Sequence, residues 1–168
     1  MAVTTPSQSA TVTLPTDEQI LITREFDAPK HLVYRAWTTP ELVKRWWNAK
    51  RGEMIVAEID LRVGGRWRYA MVTPDGVEVA FHGEYLEIVP NERIVSTETY
   101  DGLPEGVTEE QGTTVNTATF AEKDGRTTLT VLVQAPSKES RDAIVDSGME
   151  AGLQDALDLL EEVAISLR

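Results

Sequence analysis

The chain has 168 residues, 41% hydrophobic and 26% charged, which suffices for one core and is too short for several. A net charge of −12 repels phosphate backbones and anionic headgroups, which argues against nucleic-acid partners. With no cysteine, disulfides, thiolate metal sites and a cysteine nucleophile are excluded, and a reducing cytoplasm is the compartment that fits.

Residues 1–17 are rich in Thr, Ser and Pro without helical period, and they read as a flexible N-terminal tail. No basic segment followed by an apolar stretch opens the chain, so no signal peptide is expected. No apolar run approaches the roughly 18 residues of a membrane span, so insertion into a bilayer is not expected.

From Gln19 to Phe26 the alternation Ile20, Ile22, Arg24, Phe26 predicts a first strand, ended by Asp27-Ala-Pro29. Pro29 suits a first helical turn capped by Asp27 or Ala28, and Leu32, Val33, Ala36 and Trp37 follow at helical spacing. Thr39-Pro40-Glu41 restarts a helix, with Thr at the N-cap and Pro at the first position. Leu42, Val43, Trp46 and Trp47 would be its apolar side.

From Glu53 the period changes to two. Strands are predicted at 53–59, 66–72, 77–88, 93–100, 113–121 and 127–134. Pro74-Asp75-Gly76 and Asp124-Gly125 carry hairpin chemistry, and Pro90-Asn91-Glu92 is a tight connection. Residues 101–112 are too polar for a strand and read as a loop. Ser137 would cap a short helix to about Val145. Ser147-Gly-Met-Glu150 has the form of a capping box for a final helix of about 20 residues, roughly 30 Å long. Met149, Leu153, Leu157, Leu160 and Ala164 make its apolar stripe, with Glu161 among the acids placed off it.

These elements specify an α+β domain over residues 18–168. An antiparallel sheet of about six or seven strands wraps a long C-terminal helix, and two short helices follow the first strand. The segments Phe26-Asp-Ala-Pro29, Trp37-Thr-Thr-Pro40-Glu-Leu, Arg45-Trp46-Trp47, Asp60-Leu-Arg-Val-Gly-Gly65, Gly83-Glu-Tyr-Leu-Glu-Ile-Val-Pro90-Asn-Glu-Arg93 and Gly148-Met-Glu-Ala-Gly152 occur in this order. On them the chain resembles the START-like, helix-grip superfamily, and within it the bacterial proteins named after the activator of the Hsp90 ATPase. The resemblance implies a cavity between sheet and last helix that holds an apolar small molecule or lipid, with no cofactor. The family name alone suggests a chaperone partner. Asn48-Ala49 after the paired tryptophans and the polar run Val95-Ser96-Thr97-Glu98 depart from the family pattern and imply a roomier or wetter pocket.

The expected inner wall is Trp67, Tyr69 and Met71, then Phe81 and Tyr85, then Leu129, Val131 and Val133, facing Met149, Leu153 and Leu157. Trp37 and Trp46 are expected beside it. Trp46 and Trp47 are adjacent on a helix and point in different directions, so at most one is fully inward. The other is expected to be exposed or packed under a loop, where it is compatible with a homodimer contact.

Glu98 and Asn116 are the polar candidates for the site. Strand parity leaves their face open because one bulge inverts it, and the favoured reading turns Glu98 outward into solvent. An inward Glu98 would be an acid or orienting group for a polyketide cyclase or hydratase reaction, with Asn116, His82 or Tyr85. His82 and Glu84 share one strand face and read as an outward pair; without cysteine they cannot be part of a zinc deaminase site. Seven basic residues between 44 and 68 read as a solvated surface that offsets nearby acids. No metal or catalytic motif is visible.

Overall fold

A computed structural model describes residues 9–168. The elements are β1 (Thr11–Thr13), β2 (Gln19–Phe26), α1 (Lys30–Thr38), α2 (Pro40–Val43), β3 (Glu53–Ile59), β4 (Arg66–Val72), β5 (Glu78–Val89) and β6 (Arg93–Tyr100). They continue with α3 (Glu109–Gly112), β7 (Thr113–Lys123), β8 (Arg126–Gln134), α4 (Lys138–Asp146) and α5 (Met149–Ser166). The fold is α+β, as the sequence patterns require.

All strands join one open antiparallel sheet in the order β1-β2-β8-β7-β6-β5-β4-β3. It has eight strands, one more than expected. The extra strand falls inside the region read as a tail: Val12 of β1 pairs with Ile22 of β2. Residues 1–8 of that tail lie outside the described residues. β1 is also tied to the helix layer. The Gln154 side chain accepts from the Ala10 N–H at 2.9 Å and donates to the Ala10 carbonyl at 2.7 Å.

The turns follow from their residues. Asp124 and Gly125 both take positive φ, as a two-residue hairpin requires, and Asn91 does so in the β5–β6 connection. Gly83 permits a close approach. A Cβ there would sit 1.8 Å from the Thr97 carbonyl oxygen, and the Trp67 indole crosses this position to donate to that oxygen at 3.2 Å.

The helices cover one face. Register places Ile22, Val131, Ala118 and Ile94 side by side beneath them, all buried. α1 packs against α5 and the C-terminal half of the sheet. Pro29 itself is the N-cap of α1, one or two residues later than expected. The expected capping box at Ser147 does not form. Gly148, with φ 80°, is the N-cap of α5, and the Ser147 hydroxyl instead donates to the Ile144 carbonyl at the end of α4. The two helices follow each other too closely for Ser147 to serve the second.

The inward alternation of β2 includes a charge, Arg24, which is 1% exposed. Its guanidinium meets Asp158 at 2.7 Å and Glu161 at 3.0 Å on α5. Glu161 is therefore not on the solvent face assigned to it from the helical stripe. It is 6% exposed, and its second oxygen accepts the Asp27 N–H at 2.8 Å. A buried guanidinium needs such partners, and they lie in the last three turns of α5. Among the described residues no helix is long and apolar enough to cross a membrane.

Candidate functional site

The expected inner wall assembles on the helix-facing side of the sheet. Cross-strand register links Tyr69 to Phe81 and Phe81 to Tyr100. It also links Tyr85 to Ser96, Ser96 to Asn116 and Asn116 to Val133. Leu129 and Val131 complete this face toward β2, and the Trp67 ring lies 4.8 Å from that of Tyr69, tilted by 44°. On α5, Met149, Leu153 and Leu157 all pack against the core.

Burial along this wall is graded. Leu129, Phe120, Leu157, Leu160 and Ala164 are almost wholly buried. Met71, Phe81, Ser96, Glu98, Asn116, Met149 and Leu153 are only half-buried, although they sit on the inner layers. On the sheet Met71, Phe81 and Glu98 fall toward one end of their strands, with Ser96 and Asn116 next to them nearer the middle. The first turns of α5 and its flanking helix lie at that end as well. Asp155 meets Arg51, just before β3, at 3.0 Å, and Ser140 of α4 donates to the Gln111 carbonyl at 2.7 Å. The opposite end is fastened by Glu161 on Asp27 and by Arg168, which donates to the Asp27 carbonyl. Glu161 and Arg168 thus fasten α5 to the end of β2, while Met149 and Leu153 at its start keep partial solvent contact.

The paired tryptophans divide their work differently from expectation. Trp46 is buried in the helix layer, stacked on Trp37 at 5.3 Å, with its N–H on the Ala36 carbonyl at 2.9 Å. Trp37 in turn meets Phe120 edge-on. The half-buried Trp47 reaches the sheet wall, edge-on to Tyr69 at 5.6 Å and to Phe81 at 5.8 Å. Trp47 therefore joins the wall, and Trp46 supports it from behind. Chain alternation at a helix end gave each ring its own layer to pack on.

Glu98 faces inward, which overturns the outward reading. It shares the parity of Ile94, which is 2% exposed. Its Oε1 accepts from Asn116 Nδ2 at 3.2 Å, and Asn116 Oδ1 accepts from the Thr114 hydroxyl at 2.8 Å. Dense protein around the carboxyl raises its pKa, and the Asn116 hydrogen bond lowers it by less. The Tyr69 and Tyr85 hydroxyls interact with each other; burial holds both above the usual phenol range, and the Glu98 charge adds to the effect at Tyr69.

His82 lies on the outer face, where its Nδ1 meets Asp101, which Arg68 also contacts at 3.4 Å. This position separates His82 from the inner cluster and from any reaction there. Within the basic stretch, Lys44, Arg51, Arg62 and Arg68 each meet an acid, as a charge-offset surface would. A shallow polar cleft of about 410 Å³ beside Asp60, Arg62 and Gly65 is separate from the wall. Among the described residues no group of three or more His, Asp or Glu side chains converges as a metal site would.

Residues 27–164 match the family model described as "Activator of Hsp90 ATPase homolog 1-like protein". The chain belongs to this family. A crystal structure of a Rhodobacter sphaeroides protein superposes with a TM-score of 0.84 at 23% identity, covering 94% of this chain and 99% of that one. A Mycobacterium smegmatis protein gives 0.79 at 26% identity, covering 92% and 96%. A Chromobacterium violaceum protein gives 0.72 at 29% identity, covering 86% and 96%. Among curated proteins, none matches the chain.

Proposed function

We propose that this protein is a binding module that takes up a small apolar or lipid-like molecule between the inner sheet face and the first turns of α5. The family fold is consistent with a ligand-binding domain. The observation that carries the reading is the graded burial. Apolar inward side chains such as Met71, Phe81, Met149 and Leu153 remain half-buried at one end, where a well-packed core would hide them. Trp47, Tyr69 and Phe81 supply a rigid aromatic wall, and Glu98 with Asn116 supplies the few polar groups that orient a guest.

Native mass spectrometry of the purified protein, followed by titration of the ligand-stripped protein with lipids and aromatic compounds, tests the reading. A stoichiometric adduct, and quenching or shift of tryptophan emission, are the expected results. An absence of both across the library contradicts it.

A second reading, an enzyme of the polyketide cyclase or hydratase type, is supported by one observation. Glu98 stands inward with its carboxyl pKa raised, on the same wall as Tyr85. It requires that Glu98→Gln abolish turnover of a bound substrate while binding persists.

A further inference from the structure

We propose that the half-buried end of the inner wall, beside Glu98, selects guests that are apolar along their length and cationic at one end, a lipophilic amine being the simplest class, and that it rejects fatty-acid anions. This rests on the binding reading proposed above for that wall.

Glu98 is a carboxyl on the inner wall with one hydrogen-bond partner, Asn116, on Oε1. Among the described residues no hydrogen bond or ion pair reaches Oε2. Among the described strands the buried charged residue is Arg24, and it is consumed: Asp158 and Glu161 hold it and it is 1% exposed. Among the described residues, then, no cation pairs with this acid of the wall. An ammonium placed there removes an uncompensated charge, whereas a carboxylate guest adds a second one.

The surroundings favour the same sign. Glu98 lies one position along β6 face from Tyr100, which pairs with Phe81. Phe81 touches Trp47, and Tyr69 is close enough to sense the Glu98 charge. Aromatic faces stabilise a cation and leave an alkyl chain in apolar contact. At longer range the net charge of −12 concentrates cations near the surface and depletes anions. Desolvation of the carboxyl acts in the same direction, since an ammonium would restore the stabilisation that water no longer gives.

The test compares dodecylamine, dodecanol and dodecanoate, each below its aggregation threshold, by calorimetry and tryptophan fluorescence at neutral pH. Dodecylamine is expected to bind about tenfold more tightly than dodecanol, with dodecanoate weakest. Glu98→Gln, which keeps side-chain shape, is expected to bring dodecylamine to the affinity of dodecanol without weakening dodecanol. Glu84→Gln removes an equal charge from the outer face and is expected to leave the preference intact; melting curves of both variants verify folding. Equal binding of the three, a preference for dodecanoate, or an amine preference that survives Glu98→Gln overturns the inference while leaving the binding reading in place. Failure of all three to bind overturns both.

Discussion

Glu161 on α5 holds the Arg24 guanidinium on one carboxylate oxygen, 3.0 Å away, and the Asp27 backbone N–H on the other. Two groups from the end of β2 meet at this one buried carboxylate, so its removal leaves a buried charge and an orphan donor together. Glu161→Ala is expected to cost about 3–5 kcal/mol, read from urea unfolding. Asp158→Ala, at a half-exposed partner, costs less. Replacing Arg24 and Glu161 together with leucine recovers most of the loss, because neither charge then needs desolvation. A double-mutant coupling near zero contradicts this account.

Glu98 imposes a pH dependence of known sign. Its folded-state pKa is raised above 4.5 chiefly by desolvation, so the native state holds the proton more tightly than the unfolded chain. Its favourable contribution is full below 4.5 and is lost as pH rises through the folded value. Glu98→Gln should therefore raise stability at neutral pH and flatten the fall in melting temperature between mild acid and neutrality. A variant equally stable at low pH but less stable at neutral pH shows that the carboxylate is compensated.

Two glycines should answer alanine in opposite ways. At Gly83 the new Cβ would lie 1.8 Å from the Thr97 carbonyl oxygen and 2.5 Å from the Trp67 indole nitrogen. The carbonyl cannot move without separating β5 from β6, the indole that donates to it would have to leave it, and a loss of at least about 2 kcal/mol is expected. At Gly152, in α5, the Cβ meets nothing within 4 Å. Gly152→Ala is expected to gain about 0.5–1 kcal/mol from helix propensity. Thermal melts of the pair decide it.

The Gln154 amide is the link between β1 and α5, through both backbone groups of Ala10. Gln154→Ala is expected to speed hydrogen exchange at Thr11–Thr13 by about tenfold, the equivalent of roughly 1 kcal/mol. Exchange in β7 and β8 should not change. Uniform acceleration across the sheet would show instead that the substitution weakens the whole fold.

Much of the architecture was legible because hydrophobic period and turn chemistry agreed. β2 to β8 fell within a residue or two of their expected bounds, since alternation and Asp-Gly or Pro-Asn turns pointed the same way. β1 was hidden because Thr-Val-Thr is short and lies in a Thr- and Pro-rich segment; its pairing depends on β2 and Gln154, which no local pattern encodes. The face of Glu98 was within reach: Ile94 shares its parity and is the most apolar residue of β6. Arg24 carried a sharper signal. A charge in the inward register of Ile20, Ile22 and Phe26 demands a buried counter-ion, and an acid on α5 was the available source. That the two tryptophans diverge was legible; that Trp47 rather than Trp46 joins the wall was not, because it depends on how the turn after α2 meets β4 and β5.

The sheet order also sets the sequence of events by which the molecule can form. β3 to β8 follow one another as a meander, so each strand finds its partner soon after it is made. β2 cannot. Its neighbour is β8, and Gln19 bonds Gln134 across 115 positions. Until β8 emerges, β2 has no partner on that side, and its inward arginine must wait longer still for the acids of α5. The longest loop closure therefore coincides with the placing of the last helix. Assembly is expected to end in a single late step that zips β2 onto β8 and seats α5 over both.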